Sequence, residues 1–176
     1  MKVDKNLIVL VDEHNNEVGY KEKLEAHKHP VPLHRAISVL IVSPDKKSML
    51  IQKRAAVKPT WPQFWSNACC THPFIGESSV GAAKRRLKEE LGINTDLKKL
   101  YDFVYKADYD ATFGEHEVDS VYLGYYSGKI QADAKEVADY KWVEISRLAR
   151  EIAKDHDSFT PWFREIFENF EKQKPL

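Results

Sequence analysis

The sequence predicts an α/β (α+β) fold: a mixed sheet sandwiched between helices. Three observations carry this. Ala36–Ser43 is a nearly unbroken run of apolar, β-branched residues, as expected of a strand buried on both faces. Ser78–Leu91 places Val80, Ala83, Leu87 and Leu91 at helical spacing, between a Ser that can cap its start and a Gly that stops it. Several strand-like runs follow, and two more helical segments close the chain. A length of 176 residues fits one compact domain over 1–176 with a sizeable core.

The elements follow in order. Leu7–Asp12 and Glu17–Tyr20 flank His14-Asn-Asn16 and read as a hairpin. Lys21–His27 is short and charged, with room for one or two helical turns. Lys28, His29 and Pro30 lead into a loop that also holds Pro32. After Ala36–Ser43, Pro44–Lys47 turns the chain and Ser48–Arg54 returns as a strand. Ala55–Phe64 holds two prolines and Trp61, so it is a loop. Leu97–Tyr105, Glu117–Tyr126 and Asp139–Ile145 are strand-like. Ser146–Lys154 and Thr160–Glu171 are the closing helices, the second with Pro161 in its first turn.

Charge narrows the partners. Lys+Arg and Asp+Glu balance at 27 each, so no global field draws the chain to nucleic acid or to a membrane. Cys69 and Cys70 are adjacent and the only cysteines, which makes a disulfide framework unfavourable and a reducing compartment the better fit. The apolar run Leu7–Val11 is too short for a signal peptide or a span, so a cytoplasmic location is expected. No exposed apolar stripe demands a partner, and a monomer or weak dimer is expected.

Trp65–His72 and Gly114–Glu117 concentrate the chemistry. If both are strands, alternation points Cys70 and His72 to one side of one, and Glu115 and Glu117 to one side of the other. His27 and His34 stand upstream, seven residues apart. Three imidazoles and two carboxylates suit a divalent transition metal such as Mn or Zn, and suit Mg or Ca poorly. Taken singly, each residue has a plainer reading: solvated histidines, an exposed glutamate face, a surface ion pair between Arg86 and Glu90, a core indole at Trp162. Convergence of His27, His34, His72, Glu115 and Glu117 on one point is the sharper expectation.

Glu77, seven residues, then Arg85 through Ile93 resembles the Nudix box, Gly-x5-Glu-x7-Arg-Glu-U-x-Glu-Glu-x-Gly-U, with U aliphatic. The chain keeps Glu77, Arg85, Leu87, Glu89, Glu90, Gly92 and Ile93. Thr71 stands for the leading Gly, and Arg86 for a Glu that in the hydrolases helps hold catalytic metal. These departures resemble one Nudix-fold family, the type I isopentenyl-diphosphate isomerases. Its Asn-x-x-Cys-x-His-Pro signature matches Asn67–Pro73, its Glu-x-Glu matches Glu115–Glu117, and its Pro-Trp pair matches Pro161-Trp162. The resemblance spans Leu7 to Trp162 and implies a Nudix-like α/β/α sandwich.

It also implies roles. Cys70 and Glu117 would be the acid/base groups of an allylic proton shift through a carbocation-like state. Tyr105 would assist Glu117, and Trp162 would offer its face to the cation. Lys23, Arg54, Lys58 and Arg86 would bind the substrate's diphosphate. Glu90 and the Cys70 backbone carbonyl would hold its Mg2+, while one Mn2+ or Zn2+ would occupy the His/Glu site. Trp61, Phe64 and Trp65 are candidates for walls that exclude water. Cys69, turned away by alternation, reads as a small apolar filler. The rival readings are a Nudix pyrophosphohydrolase, which Arg86 argues against, and a non-catalytic metal- or nucleotide-binding module.

Overall fold

The computed structural model describes residues 4–176. One strand organises it: β3 (His34–Val42), buried along almost its whole length. It borders β8 (Gly114–Tyr125) in parallel over its full extent. Its other edge meets three antiparallel partners in succession: β1 (Leu7–Val11), β6 (Cys69–Thr71) and β4 (Ser48–Arg54). β2 (Glu17–Glu22) extends the sheet beyond β1, and β7 (Leu97–Asp108) beyond β8. β5 (Trp65–Ser66) and β9 (Val137–Glu144) pair with β4. The sheet is mixed, as expected.

Alternation along β3 sorts its side chains between two helical layers. Ile37, Val39 and Ile41 pack with Ala82, Ala83, Leu87 and Leu91 of α2 (Ser79–Leu91). Leu40 and Val42 pack on the other side, with Leu148 of α3 (Ile145–Lys154) and Trp162, Phe163, Ile166, Phe167 and Phe170 of α4 (Pro161–Gln173). A strand sealed on both faces must be apolar in both registers, which is why its sequence shows no polar alternation. Truncating a fully buried member such as Leu87 to Ala is expected to cost about 2–5 kcal/mol.

α2 is delimited as its sequence implies. Ser78 Oγ accepts the Gly81 N–H, and Gly92 ends the helix at φ 67°. A Cβ there would meet Gln131 Cβ at 2.9 Å, so glycine is required twice over. Val80 departs from expectation: it shares the azimuth of the core residues but lies in the first turn, beside the cap, and is exposed. Some boundaries also differ. β8 begins at Gly114 rather than at Glu117, and β7 runs on to Asp108, because the two form one long hairpin. The Lys21–His27 segment splits between the end of β2 and the single-turn α1 (Lys23–Ala26). Trp65–Thr71 forms two short strands broken at Asn67-Ala68, with His72 just past the second. No helix among the described residues is long and apolar enough to cross a membrane.

Candidate active site

Four segments deliver the five expected metal ligands. His27 caps the C-terminus of α1, His34 opens β3, His72 follows β6, and Glu115 and Glu117 lie on β8. The parallel register sets His34 opposite Glu117. The Gly114 N–H donates to the His27 carbonyl at 2.9 Å, tying the end of α1 to the residue before Glu115. A side chain at 114 would meet the Ala107 carbonyl oxygen at 2.8 Å, so that approach needs glycine. Alternation turns His116 away, and its Nδ1 lies 3.3 Å from the Val31 carbonyl.

The five donor atoms lie within 4.8 Å of one another. His27 Nε2 is 3.1 Å from Glu115 Oε2; His72 Nε2 and His34 Nε2 are 3.0 and 3.4 Å from Glu117 Oε1. Metal bonds of about 2.1 Å place adjacent ligands roughly 3 Å apart and opposed ones roughly 4.2 Å apart, so the spread fits a single ion. The protons argue the same way. Nδ1 of His27 and of His34 donates to the carbonyls of Lys23 and Pro32, which leaves each Nε2 a bare lone pair. Those lone pairs face carboxylate lone pairs, and His34 Nε2 and Glu115 Oε2 are buried without a hydrogen-bond partner. A cation between them resolves the conflict.

Burial drives His72 down to about 3, so its imidazole is neutral, as a ligand must be. Burial works against charge on Glu117 too, but the imidazoles of His34 and His72 beside it outweigh that and hold this carboxylate well below the usual range. Glu115 is raised, first by burial and then by repulsion from Glu117.

Beside this cluster opens a cavity of about 240 Å³, lined among others by Cys70, Tyr105, Glu117 and Trp162. Burial pushes the Cys70 thiol up to about 12 although Arg54 opposes it, so the thiol keeps its proton. Tyr105 donates to Glu117 Oε2 at 2.6 Å. Trp162 Nε1 donates to Ser66 Oγ at 3.1 Å and Asn67 Oδ1 at 3.2 Å, which fixes the indole plane. Asn67 Nδ2 donates to the Cys69 carbonyl at 2.7 Å, so one amide braces both the indole and the Cys-Cys strand. Cys69 is wholly buried against α2, the filler its position implied.

Lys23, Arg54, Lys58 and Arg86 all reach the cavity wall. Arg54 donates to the carbonyls of Trp61 and Thr60 at 3.0 and 2.9 Å, and its Nη1 lies 4.0 Å from Cys70 Sγ. Lys23 is exposed as a residue, yet desolvation at the rim, then repulsion from Lys58 and Arg86, lower its ammonium pKa.

Other expectations change. Trp61, Phe64 and Trp65 do not line the cavity; Phe113 joins Tyr105 and Trp162 there instead. Trp61 packs edge-on behind Trp162 at 5.3 Å, and Trp65 carries the Lys53 and Lys141 ammonium groups outside the cavity. Glu90 is buried behind the wall, its Oε1 accepting from Arg86 and its Oε2 from Gln52 Nε2 at 2.9 Å. Glu77 and Arg85 form a two-pronged pair at 2.8 Å that ties the loop before α2 to the helix, away from the cavity. Sequence reasoning missed Glu136, which binds both Lys58 and Arg86. No spacing pattern links residues from three separate segments.

Residues 32–163 match the family model of the NUDIX domain. The protein named isopentenyl-diphosphate Delta-isomerase 2 from Aromatoleum aromaticum is 40% identical over 155 residues, 88% of this chain and 81% of its own. The isopentenyl-diphosphate Delta-isomerase of Nocardia farcinica is 41% identical over 162 residues, 92% of each chain. Among solved structures, DR0079 from Deinococcus radiodurans superposes with a TM-score of 0.76 at 15% identity, covering 93% of this chain and 98% of that one. The MutT protein from Methanosarcina mazei gives 0.68 at 18% identity, covering 82% and 97%. These two attest the sandwich alone, whereas the sequence relatives extend over Lys23 and His27, upstream of the NUDIX match. The chain belongs to the isopentenyl-diphosphate Delta-isomerases, an enzyme family of the NUDIX fold.

Proposed function

We propose that this chain interconverts isopentenyl and dimethylallyl diphosphate, with Cys70 and Glu117 as its two proton-transfer groups. The observation that carries the reading is that Cys70 and Glu117 line one cavity, where burial favours the protonated thiol and the neighbouring imidazoles favour the ionised carboxylate. An allylic shift needs one group of each kind. The thiol delivers a proton to the terminal methylene carbon, leaving a tertiary cation. The carboxylate removes a proton from the carbon next to the diphosphate-bearing one, and the double bond re-forms there. The proton ends on Glu117 and Cys70 is a thiolate, the state from which the reverse reaction starts.

Trp162, with its nitrogen bound, offers a ring face to the transient cation. Tyr105 orients the Glu117 carboxylate by hydrogen bonding. Lys23, Arg54, Lys58 and Arg86 receive the diphosphate. A divalent ion held by His27, His34, His72, Glu115 and Glu117 would supply fixed positive charge that holds Glu117 in place and ionised until it takes the substrate's proton. Mn2+ or Zn2+ suits its nitrogen-rich donors, and five ligands exceed the usual tetrahedral zinc set. We assign Mg2+ to the substrate's diphosphate, with Glu90 and the Cys70 carbonyl as its protein ligands; Arg86 must then yield its hold on Glu90.

Incubation with isopentenyl diphosphate in D2O, followed by NMR, tests the proposal. Dimethylallyl diphosphate carrying deuterium in a methyl group is expected. Release of inorganic phosphate without alkene movement would instead favour a hydrolase.

A further inference from the structure

Asn67 stands in the break between β5 and β6 and is wholly buried. Its neighbours fix which way the amide points. Nδ2 donates to the Cys69 carbonyl at 2.7 Å and to the Val39 carbonyl at 3.3 Å. Oδ1 therefore faces the donors, Trp162 Nε1 at 3.2 Å and Ser66 Oγ at 3.0 Å. That oxygen carries no proton, which orders the rest of the network. The Ser66 hydroxyl must donate to it, and the Thr160 hydroxyl, 2.9 Å away, must donate to Ser66. Thr160 is the N-cap of α4 yet makes no side-chain capping bond. A threonine there ordinarily caps its helix, so α4 forgoes that bond while the hydroxyl serves Ser66. The indole N–H closes the network, shared between Ser66 Oγ and Asn67 Oδ1.

We infer that Asn67 is a positioning residue for the allylic shift: acting through Trp162, it sets the indole face against the carbon that becomes cationic and ties that placement to the Cys70 thiol. The inference rests on the role given to Trp162 above. A proton delivered by Cys70 leaves the charge on the adjoining carbon, one bond away, so thiol and indole have to be registered on each other. They belong to different elements, β6 and α4. Asn67 bonds to both: Oδ1 holds the indole nitrogen, and Nδ2 holds the carbonyl of the peptide that links Cys69 to Cys70. Its bond to the Val39 carbonyl anchors the pair to β3. Attraction between a cation and an aromatic ring needs the face and is lost as the ring turns edge-on. An indole released from Asn67 keeps its bulk but not its angle. Uncharged ligands of the cavity are then bound as before, and a cationic one is not.

Calorimetry of the metal-loaded full chain decides it with two ligands of one shape: saturated isopentyl diphosphate, and its analogue with a protonated tertiary nitrogen at the branching carbon. Their diphosphate contacts are the same and cancel in the ratio of dissociation constants, which leaves the cation's share. The parent should prefer the ammonium ligand. Asn67→Ala leaves room for water on the freed carbonyls, and Asn67→Leu fills the space with no polar atom; neither holds the indole. In each, the preference should fall about tenfold, the scale of one desolvated cation–aromatic contact, while isopentyl diphosphate binds within about threefold of the parent. The kcat for isopentenyl diphosphate should fall with KM little changed. In a Trp162→Phe background, Asn67→Ala should alter the preference no further. A parental preference in either variant, a further fall in the Trp162→Phe background, or loss of isopentyl diphosphate binding by both variants would overturn the inference and leave Asn67 a structural residue alone. A parent protein with no preference for the ammonium ligand would defeat the role of Trp162 itself, a separate failure.

Discussion

The two adjacent cysteines show what one residue of register decides. Cys70 lines the cavity beside Arg54, and Cys69 is sealed against Ala82 and Ala83. Cys70→Ala is expected to reduce kcat for isopentenyl diphosphate by about a hundredfold to ten-thousandfold, the range for removing an acid/base group. Glu117→Gln should lose as much, whereas Cys69→Ala should stay within about threefold of the parent, with a small loss of stability from the vacated space. Near-parental turnover by Cys70→Ala would reassign the acid. Tyr105→Phe removes only the 2.6 Å hydrogen bond to Glu117, so kcat should fall roughly tenfold to a hundredfold with KM little changed. The opposite facing of the two thiols was legible because period-2 alternation is a local rule. Glu136 was not: its partners, Lys58 and Arg86, come from a loop and a helix far from it in sequence, and only the closed sandwich brings the three together.

At the level of elements, β3 and α2 were legible and their edges were not. A strand buried on both faces announces itself by an unbroken apolar run, and a capped helix by its Ser and Gly. Val80 misled because periodicity assigns a face but not how far along the helix packing begins. The start of β8 was legible only as a conditional strand because Gly114-Glu-His-Glu117 is polar, and its burial reflects the imidazoles it faces rather than an apolar pattern. α2 supplies Arg86 to the cavity, so its stop matters to the site. Gly92→Ala would force a Cβ to a positive φ and to within 2.9 Å of Gln131 Cβ. A loss of about 1–2 kcal/mol is expected, seen as a fall of roughly 2–8 °C in melting temperature. An unchanged melting temperature would show that the Gln131 segment yields freely.

For the whole molecule, the His/Glu cluster that could hold a metal joins α1, β3, β6 and β8, so ion binding there would be linked to folding. Chelation should lower the melting temperature by several degrees while the sheet's circular dichroism persists. The metal-free protein should then become acid-sensitive. Unfolded His72 takes up a proton near 6.5, but the folded form resists until about 3, so stability falls as pH drops through that window. Glu117 acts in the same direction below its ordinary 4.5, because its folded pKa is depressed and its stabilisation is lost on protonation. His27, raised in the fold, opposes them in part. Urea midpoints measured from pH 7 to pH 4 check this, and a flat profile would contradict the buried neutral imidazole. Residue types and alternation paired Glu115 with Glu117 but could not join His27 and His34 to them, a convergence that the family resemblance implied; the lone pairs left facing one another emerged only in three dimensions.

The NUDIX match starts at residue 32, yet Lys23 and His27 belong to the stretch before it. That stretch is anchored to the sandwich at its first strand, where buried Val9 and Val11 pack on Val118 of β8 and Arg35 of β3 donates to Asn15. A protease nick between α1 and β3 would thus unmoor one imidazole and one ammonium at the cut end while the valine anchor still held the segment to the sheet. Turnover would be extinguished long before the protein came apart.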